Sequence, residues 1–215
     1  MVVIEKSSSR RSPAAYLGPC RDVGEVQHVL PHLDNFALSP VASRIKRGGG
    51  WKMAVTLQTT HGDLKLELFC QACPKTTYNF LALSATGAYD GSPFHRSISG
   101  FMLQGGSPAS GSIKESPSVY GGMFEDEIKS SLRHHGRGIL SMANKGPNTN
   151  GSQFYVTYAQ ASHLDGVNTV FGRVLEGWET LDKIEAVAVD KKNRPQEAVK
   201  IEKVQIHANP LADER

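Results

Sequence analysis

Three stretches of the 215-residue chain concentrate side chains able to do chemistry. Phe94–Pro108 carries Arg96, Phe101, Met102 and Gln104. Ser141–Tyr155 carries Ala143, Asn144 and an Asn/Gly-rich run before Gln153 and Tyr155. His163-Leu164-Asp165-Gly166 is followed by Asn168 and Val170-Phe171-Gly172. Arg96 is the charged group among them whose guanidinium stays protonated and presents a rigid fork of donors. Such a group stabilises charge that develops on a neighbouring atom; it does not attack one. Nucleophilic and metal chemistries lack their patterns. Ser, His and Asp are all present, but no GxSxG elbow occurs. Cys70-Gln71-Ala72-Cys73 is a lone CxxC, so a zinc site is two ligands short. It reads as two ordinary thiols, with a redox pair as the lesser alternative because Cys73 precedes a helix start, where a thiolate is favoured. His134-His135, in a polar stretch with Arg133 and Arg137, does not read as a metal site. No metal and no cofactor is expected.

The elements that must position these residues follow from periodicity. Val55 and Leu57, then Leu64, Leu66 and Leu68, alternate with polar residues around His61-Gly62-Asp63, which predicts a hairpin. Pro74 opens a helix with Tyr78, Leu81, Ala82 and Ala85 at helical spacing, and Gly87 ends it. Short strands are expected at Phe94–Ile98, Phe101–Gln104, Ile139–Ala143, Phe154–Thr157 and Thr169–Leu175. A second helix is expected from about Trp178 to Val187, with Leu181, Ile184 and Val187 on one face. The last strand, Val199–His207, breaks phase between Ile201 and Val204, which suggests a bulge. About eight short strands, two helices and Gly-rich turns favour a mostly β fold, a closed eight-stranded antiparallel barrel capped by two helices.

Hydrophobic residues make up 39% and charged residues 21%, as in globular proteins. No apolar run approaches the roughly 20 residues of a membrane helix, and no signal-peptide pattern opens the chain. Met1–Lys52 holds eight Lys/Arg against four Asp/Glu and is broken by Pro13, Pro19, Pro31, Pro40 and Gly48–Gly50. It reads as a basic, disordered extension, with Met53 as an alternative start and residues 53–215 as the main domain. That domain holds sixteen basic and seventeen acidic residues, so a nucleic-acid-binding face is not implied. Three cysteines, Cys20, Cys70 and Cys73, describe no disulfide framework and fit an intracellular setting.

The three stretches, in this order and over roughly Val55 to the C-terminus, closely resemble the cyclophilin family of peptidyl-prolyl cis–trans isomerases. The ending Ile206-His207-Ala208-Asn209-Pro210 and the pair His163-Leu164 resemble its small spliceosome-associated subfamily, the peptidylprolyl isomerase-like three type. The resemblance implies rotation about X–Pro bonds, with Arg96 as the catalytic cation and Gln104 holding it by a hydrogen bond. It also implies a proline pocket of Phe101, Met102, Tyr155 and Leu164, and Ala143 and Asn144 gripping the substrate through their backbone. Alternation places Gln153 and Tyr155 on one face and leaves Phe154 to the core. Gly146–Gly151 suits a turn-rich rim with positive φ.

Three positions depart from the family pattern. His163 stands where a pocket tryptophan is common, Tyr155 where phenylalanine is common, and Asn168 where histidine is common. None removes the arginine. The loss of the indole implies weaker cyclosporin-type binding and reduced, though retained, catalysis. The Tyr155 hydroxyl requires a partner or water. The rival reading is a proline-peptide adaptor in a ribonucleoprotein assembly, using the same groove with little turnover. The resemblance implies proline-containing protein segments as partners, spliceosomal proteins among them, a nuclear or cytoplasmic location, and a monomer.

Overall fold

The computed structural model describes residues 53–109 and 114–207. The proposed N-terminal extension, Cys20 and the ending Ala208-Asn209-Pro210 lie outside the described residues. Eight strands form one antiparallel sheet: β1 (Met53–Thr59), β2 (Gly62–Leu68), β3 (Arg96–Ile98), β4 (Met102–Gly105), β5 (Ile139–Met142), β6 (Phe154–Thr157), β7 (Val170–Glu176) and β8 (Ile201–His207). Among the described residues two α-helices accompany it, α1 (Pro74–Ala85) and α2 (Trp178–Ala186). The strand order is β3-β4-β6-β5-β7-β2-β1-β8.

The expected closed barrel is corrected. The sheet curls, but β3 and β8 are its two free ends, and no strand ladder joins them. They are stitched instead by irregular backbone. Pro93 and Lys200 form an isolated bridge, Gly91 N–H donates to Ile201 O at 2.7 Å, and Phe94 N–H donates to Val199 O at 2.9 Å. Pro93 lacks an N–H, so a regular ladder cannot run through it. The free edge of β3 is also covered, since Ser97 N–H donates to Asn193 O at 2.9 Å.

The hairpin forms with a tighter turn than the sequence suggested. Thr59 pairs with Gly62, so Gly62 and Asp63 belong to β2. The bulge is present: Gln58 opposes Lys203 and Thr59 opposes Ile201, which leaves Glu202 unopposed. The core lies inside the curl, where Leu57, Leu66, Leu103, Leu140, Val156 and Phe171 are fully buried. The buried face of α1 centres on Phe80 and Leu83 rather than on Tyr78, Leu81 and Ala85. Leu181 and Ile184 of α2 are buried as expected.

Helix α1 starts at Pro74, yet its own sequence supplies no side-chain cap. The cap comes from 51 residues away: Glu127 accepts from Lys75 N–H at 3.2 Å and from Thr76 N–H at 2.7 Å. A carboxylate there pairs two orphan donors and opposes the positive end of the helix dipole. Glu127→Ala should therefore cost about 1 kcal/mol, read from chemical denaturation midpoints.

The same region decides the CxxC. Cys70 and Cys73 are free thiols, and Cys73 is buried with its S–H directed at Val170 O, 3.3 Å away. Burial, followed by the charge of Glu127, pushes the Cys73 thiol up to about 12; burial also raises Cys70. Desolvation overrides the helix start, so neither thiol gains thiolate character there. Cys73 should resist iodoacetamide at neutral pH until the protein is denatured, as peptide mass mapping would show.

Candidate functional site

Strand register assembles the expected residues before any loop is considered. On β4, Gln104 opposes Arg96 of β3 on one side and Tyr155 of β6 on the other. Ser141 of β5 in turn opposes Tyr155. Directly opposed residues share a face of the sheet, so Arg96, Gln104, Tyr155 and Ser141 form one row across four strands. Met102, buried, continues this face beside Ile98 and Thr157. The adjacent row, Leu103, Val156 and Leu140, points the other way into the core. Phe154 is likewise fully buried, as alternation required.

Arg96 is exposed, and its side chain makes no hydrogen bond or ion pair among the described residues. The expected hydrogen bond from Gln104 to Arg96 is therefore not formed. The Gln104 amide nitrogen donates instead to Gln153 Oε1 at 3.0 Å. A guanidinium has donors only, so Gln104 could hold Arg96 only through its carbonyl oxygen. Gln153 is fixed in turn. Its side chain donates to Glu115 O at 3.0 Å, and its backbone N–H donates to Ser116 Oγ at 3.0 Å. This packing needs Gly151, where a Cβ would lie 2.0 Å from Ser116 O. Asn79 of α1 clamps both segments, donating to Gly151 O and accepting from Val119 N–H.

One wall is a ring contact. Phe101 and His163 lie 5.4 Å apart between centroids, tilted by 34°. The turn before Phe101 is held by Glu185, which accepts from Gly100 N–H at 2.8 Å and from Ser99 Oγ at 3.1 Å. Burial works against the Glu185 carboxylate charge, but Gly100 N–H and Arg137 outweigh it and hold its pKa below the ordinary range. His163 and Leu164 occupy a short 3₁₀ turn, Ser162–Leu164. Asn168 joins this turn to the strands: its N–H donates to Leu164 O at 3.2 Å and its amide to Met142 O at 3.0 Å.

The rim follows β5. Ala143 N–H donates to Gln153 O at 3.0 Å. The Asn144 side chain reaches Val167 O at 3.3 Å, while its backbone N–H and C=O make no hydrogen bond among the described residues. Gly146 and Asn148 adopt the expected positive φ, 138° and 59°. The loop is fastened from below by Asp126, which accepts from Asn148 N–H and from the Asn150 amide, both at 2.7 Å.

Sequence reasoning missed the group beneath this row. His134, assigned to a polar stretch, is fully buried and stacks on Tyr155, with centroids 5.9 Å apart and 14° between planes. The available signal was the Tyr155 hydroxyl, which needed a partner; His134 Nε2, 2.9 Å away, is that partner. Burial drives the Tyr155 pKa upward, so the phenol stays protonated.

The chain has relatives among known proteins. The family described as "Cyclophilin type peptidyl-prolyl cis-trans isomerase/CLD" matches residues 54–206. The chain is 61% identical over 166 residues to the Gibberella zeae "Peptidyl-prolyl cis-trans isomerase-like 3", which covers 74% of this chain and 99% of that protein. It is 52% identical over 161 residues to the Homo sapiens protein of the same name, at the same coverage. A Cryptosporidium parvum cyclophilin-type isomerase crystal structure superposes with a TM-score of 0.72 at 47% identity, covering 74% of this chain and all of that one. A second structure of that isomerase, determined in the presence of the dipeptide Ala-Pro, gives a TM-score of 0.70 over 73% of this chain and 99% of that one. With an in-register Arg96–Gln104–Tyr155 row and a family match from strand β1 to strand β8, the chain belongs to the cyclophilin-type peptidyl-prolyl cis–trans isomerases.

Proposed function

We propose that this chain binds exposed X–Pro segments across the Arg96–Gln104–Tyr155 row and rotates the X–Pro bond there. The amide C–N bond resists rotation by about 18–20 kcal/mol because its nitrogen lone pair is delocalised. At the twisted midpoint the prolyl nitrogen regains that lone pair. A fixed cation with N–H donors stabilises the twisted state more than either planar isomer, which is what acceleration requires. No bond breaks, so no nucleophile takes part. Arg96 supplies the cation, and Gln104 sits beside it. Phe101, Met102, Tyr155, His163 and Leu164 seat the proline ring. Ala143 and the open backbone groups of Asn144 take the extended peptide, with Gln153 and Asn168 shaping the rim. The observation that carries this reading is the register that sets Arg96, whose side chain has no partner among the described residues, in one row with Gln104 and Tyr155.

On this reading the setting is a nuclear, splicing-linked assembly. The support is the likeness to isomerase-like 3 proteins and the His163-Leu164 pair. Exchange NMR on a short Ala-Pro peptide tests the proposal. The purified chain should produce cis–trans exchange cross-peaks at mixing times where the free peptide, which isomerises over tens to hundreds of seconds, gives none. Peptide binding without exchange would instead make the chain an adaptor.

A further inference from the structure

The row has a foundation that the isomerase reading does not use. His134 Nδ1 lies 3.0 Å from Asp165 Oδ1, which also accepts from His134 N–H at 2.8 Å. A carboxylate only accepts, so Nδ1 carries the ring proton and Nε2 is left as an acceptor. Two hydroxyls reach that nitrogen, Tyr155 Oη and Ser141 Oγ, each at 2.9 Å. One lone pair cannot serve both fully, so one hydroxyl donates to Nε2 and the other joins through the first. Burial lowers the His134 pKa despite the opposing pull of Asp165, which keeps the ring neutral and Nε2 available. Asp165 immediately follows the His163–Leu164 turn, so the link runs from the floor into the wall.

We propose that His134 is a positioning residue of this site, locking the Tyr155 ring in one orientation through its hydroxyl and tying it, through Asp165, to the turn carrying His163 and Leu164. The inference rests on the isomerase reading above. A phenylalanine at position 155 would be held by packing alone; the tyrosine is held by packing and by a directional bond. Because Tyr155 neighbours Gln104, and Gln104 neighbours Arg96, loosening the ring misplaces the surface against which the proline is seated.

Two measurements on the full chain test this. In kinetics with a short X–Pro peptide, His134→Leu should lower kcat/KM about tenfold, as displacement of a seating surface does. His134→Gln, whose amide oxygen can accept from Tyr155, should stay within about threefold of wild type. In a Tyr155→Phe background, His134→Leu should cost less than about threefold, because the coupling has already been removed. Equal losses in both backgrounds would reduce His134 to a general structural role and overturn the proposal. The second measurement needs neither turnover nor a foldable leucine variant. Nitrogen-15 NMR of the wild-type ring at pH 7 should show Nδ1 protonated and Nε2 bare, with the Nε2 resonance moved by Tyr155→Phe. A protonated Nε2, or a resonance that Tyr155→Phe leaves in place, would overturn it as well. Wild-type turnover no greater than that of Arg96→Ala would sink the isomerase reading, and the ring resonances would still decide the role of His134.

Discussion

Replacing Arg96 with alanine should lower kcat/KM for X–Pro isomerisation by about 10²–10³-fold, the range seen when one preorganised transition-state donor is removed. Peptide affinity should change far less. The asymmetry follows from where the charge acts. A planar prolyl amide has little free lone pair to attract a guanidinium, whereas the twisted amide has a full one, so the interaction is concentrated at the midpoint of rotation. Exposure bears on the magnitude: Arg96 has no protein partner among the described residues. Its removal therefore leaves no buried charge uncompensated, and the folded state should keep its stability. Arg96→Lys should recover only part of the loss, because a point charge lacks the planar fork of donors. Line-shape analysis, which reports exchange rate and affinity together, makes the comparison. A parallel fall in both, or turnover equal to wild type, would remove Arg96 from the catalytic role.

Phe154→Ala carries the largest stability cost we expect, about 3–5 kcal/mol. Phe154 is fully buried and meets three rings edge-on: Phe80 at 5.3 Å, Tyr89 at 5.6 Å and Phe94 at 6.3 Å between centroids. Each such pair adds about 0.5–1.5 kcal/mol beyond area burial. The surroundings are shaped to the ring. A Cβ on Gly106 would sit 2.8 Å from Phe154 Cδ1, and one on Gly105 would sit 2.7 Å from Phe94 Cδ1. Backbones packed this closely do not collapse readily into the vacated volume. The denaturation midpoint should fall with an unchanged slope. Against a domain stability of about 5–15 kcal/mol, such a loss is a large share. A cost below about 1 kcal/mol would show that the core can close over the missing ring.

The two variants separate what one strand does on its two faces. Tyr155 belongs to the row with Arg96, and Phe154 to the core, one residue apart. That division could be read from alternation alone, because successive side chains of a strand point to opposite sides. The hairpin, both helices and the Glu202 bulge were legible for similar reasons of period and phase. The buried face of α1 was not. Tyr78 and Leu81 fit a helical stripe as well as Phe80 and Leu83 do, and only packing against Phe154 and Phe171 chooses between them. Arg96 and the rest of the expected site gather on one face and its rim. The direct Gln104–Arg96 bond does not appear; the Gln104 amide donates instead to Gln153, which the loop brings close.

The order and type of residues in this chain determined its family, through three ordered motif stretches, and its short strands. These properties are local: the strands follow from periodicity and turn residues, and the family from the resemblance of contiguous stretches. Tertiary structure decided everything that depends on residues distant along the chain. It left the curl without a ladder between β3 and β8, capped α1 with Glu127, raised the Cys73 thiol by burial, and placed His134 beneath Tyr155. The reason is physical. Burial and hydrogen-bond partnership arise between segments dozens of residues apart, and no spacing within a single segment encodes them.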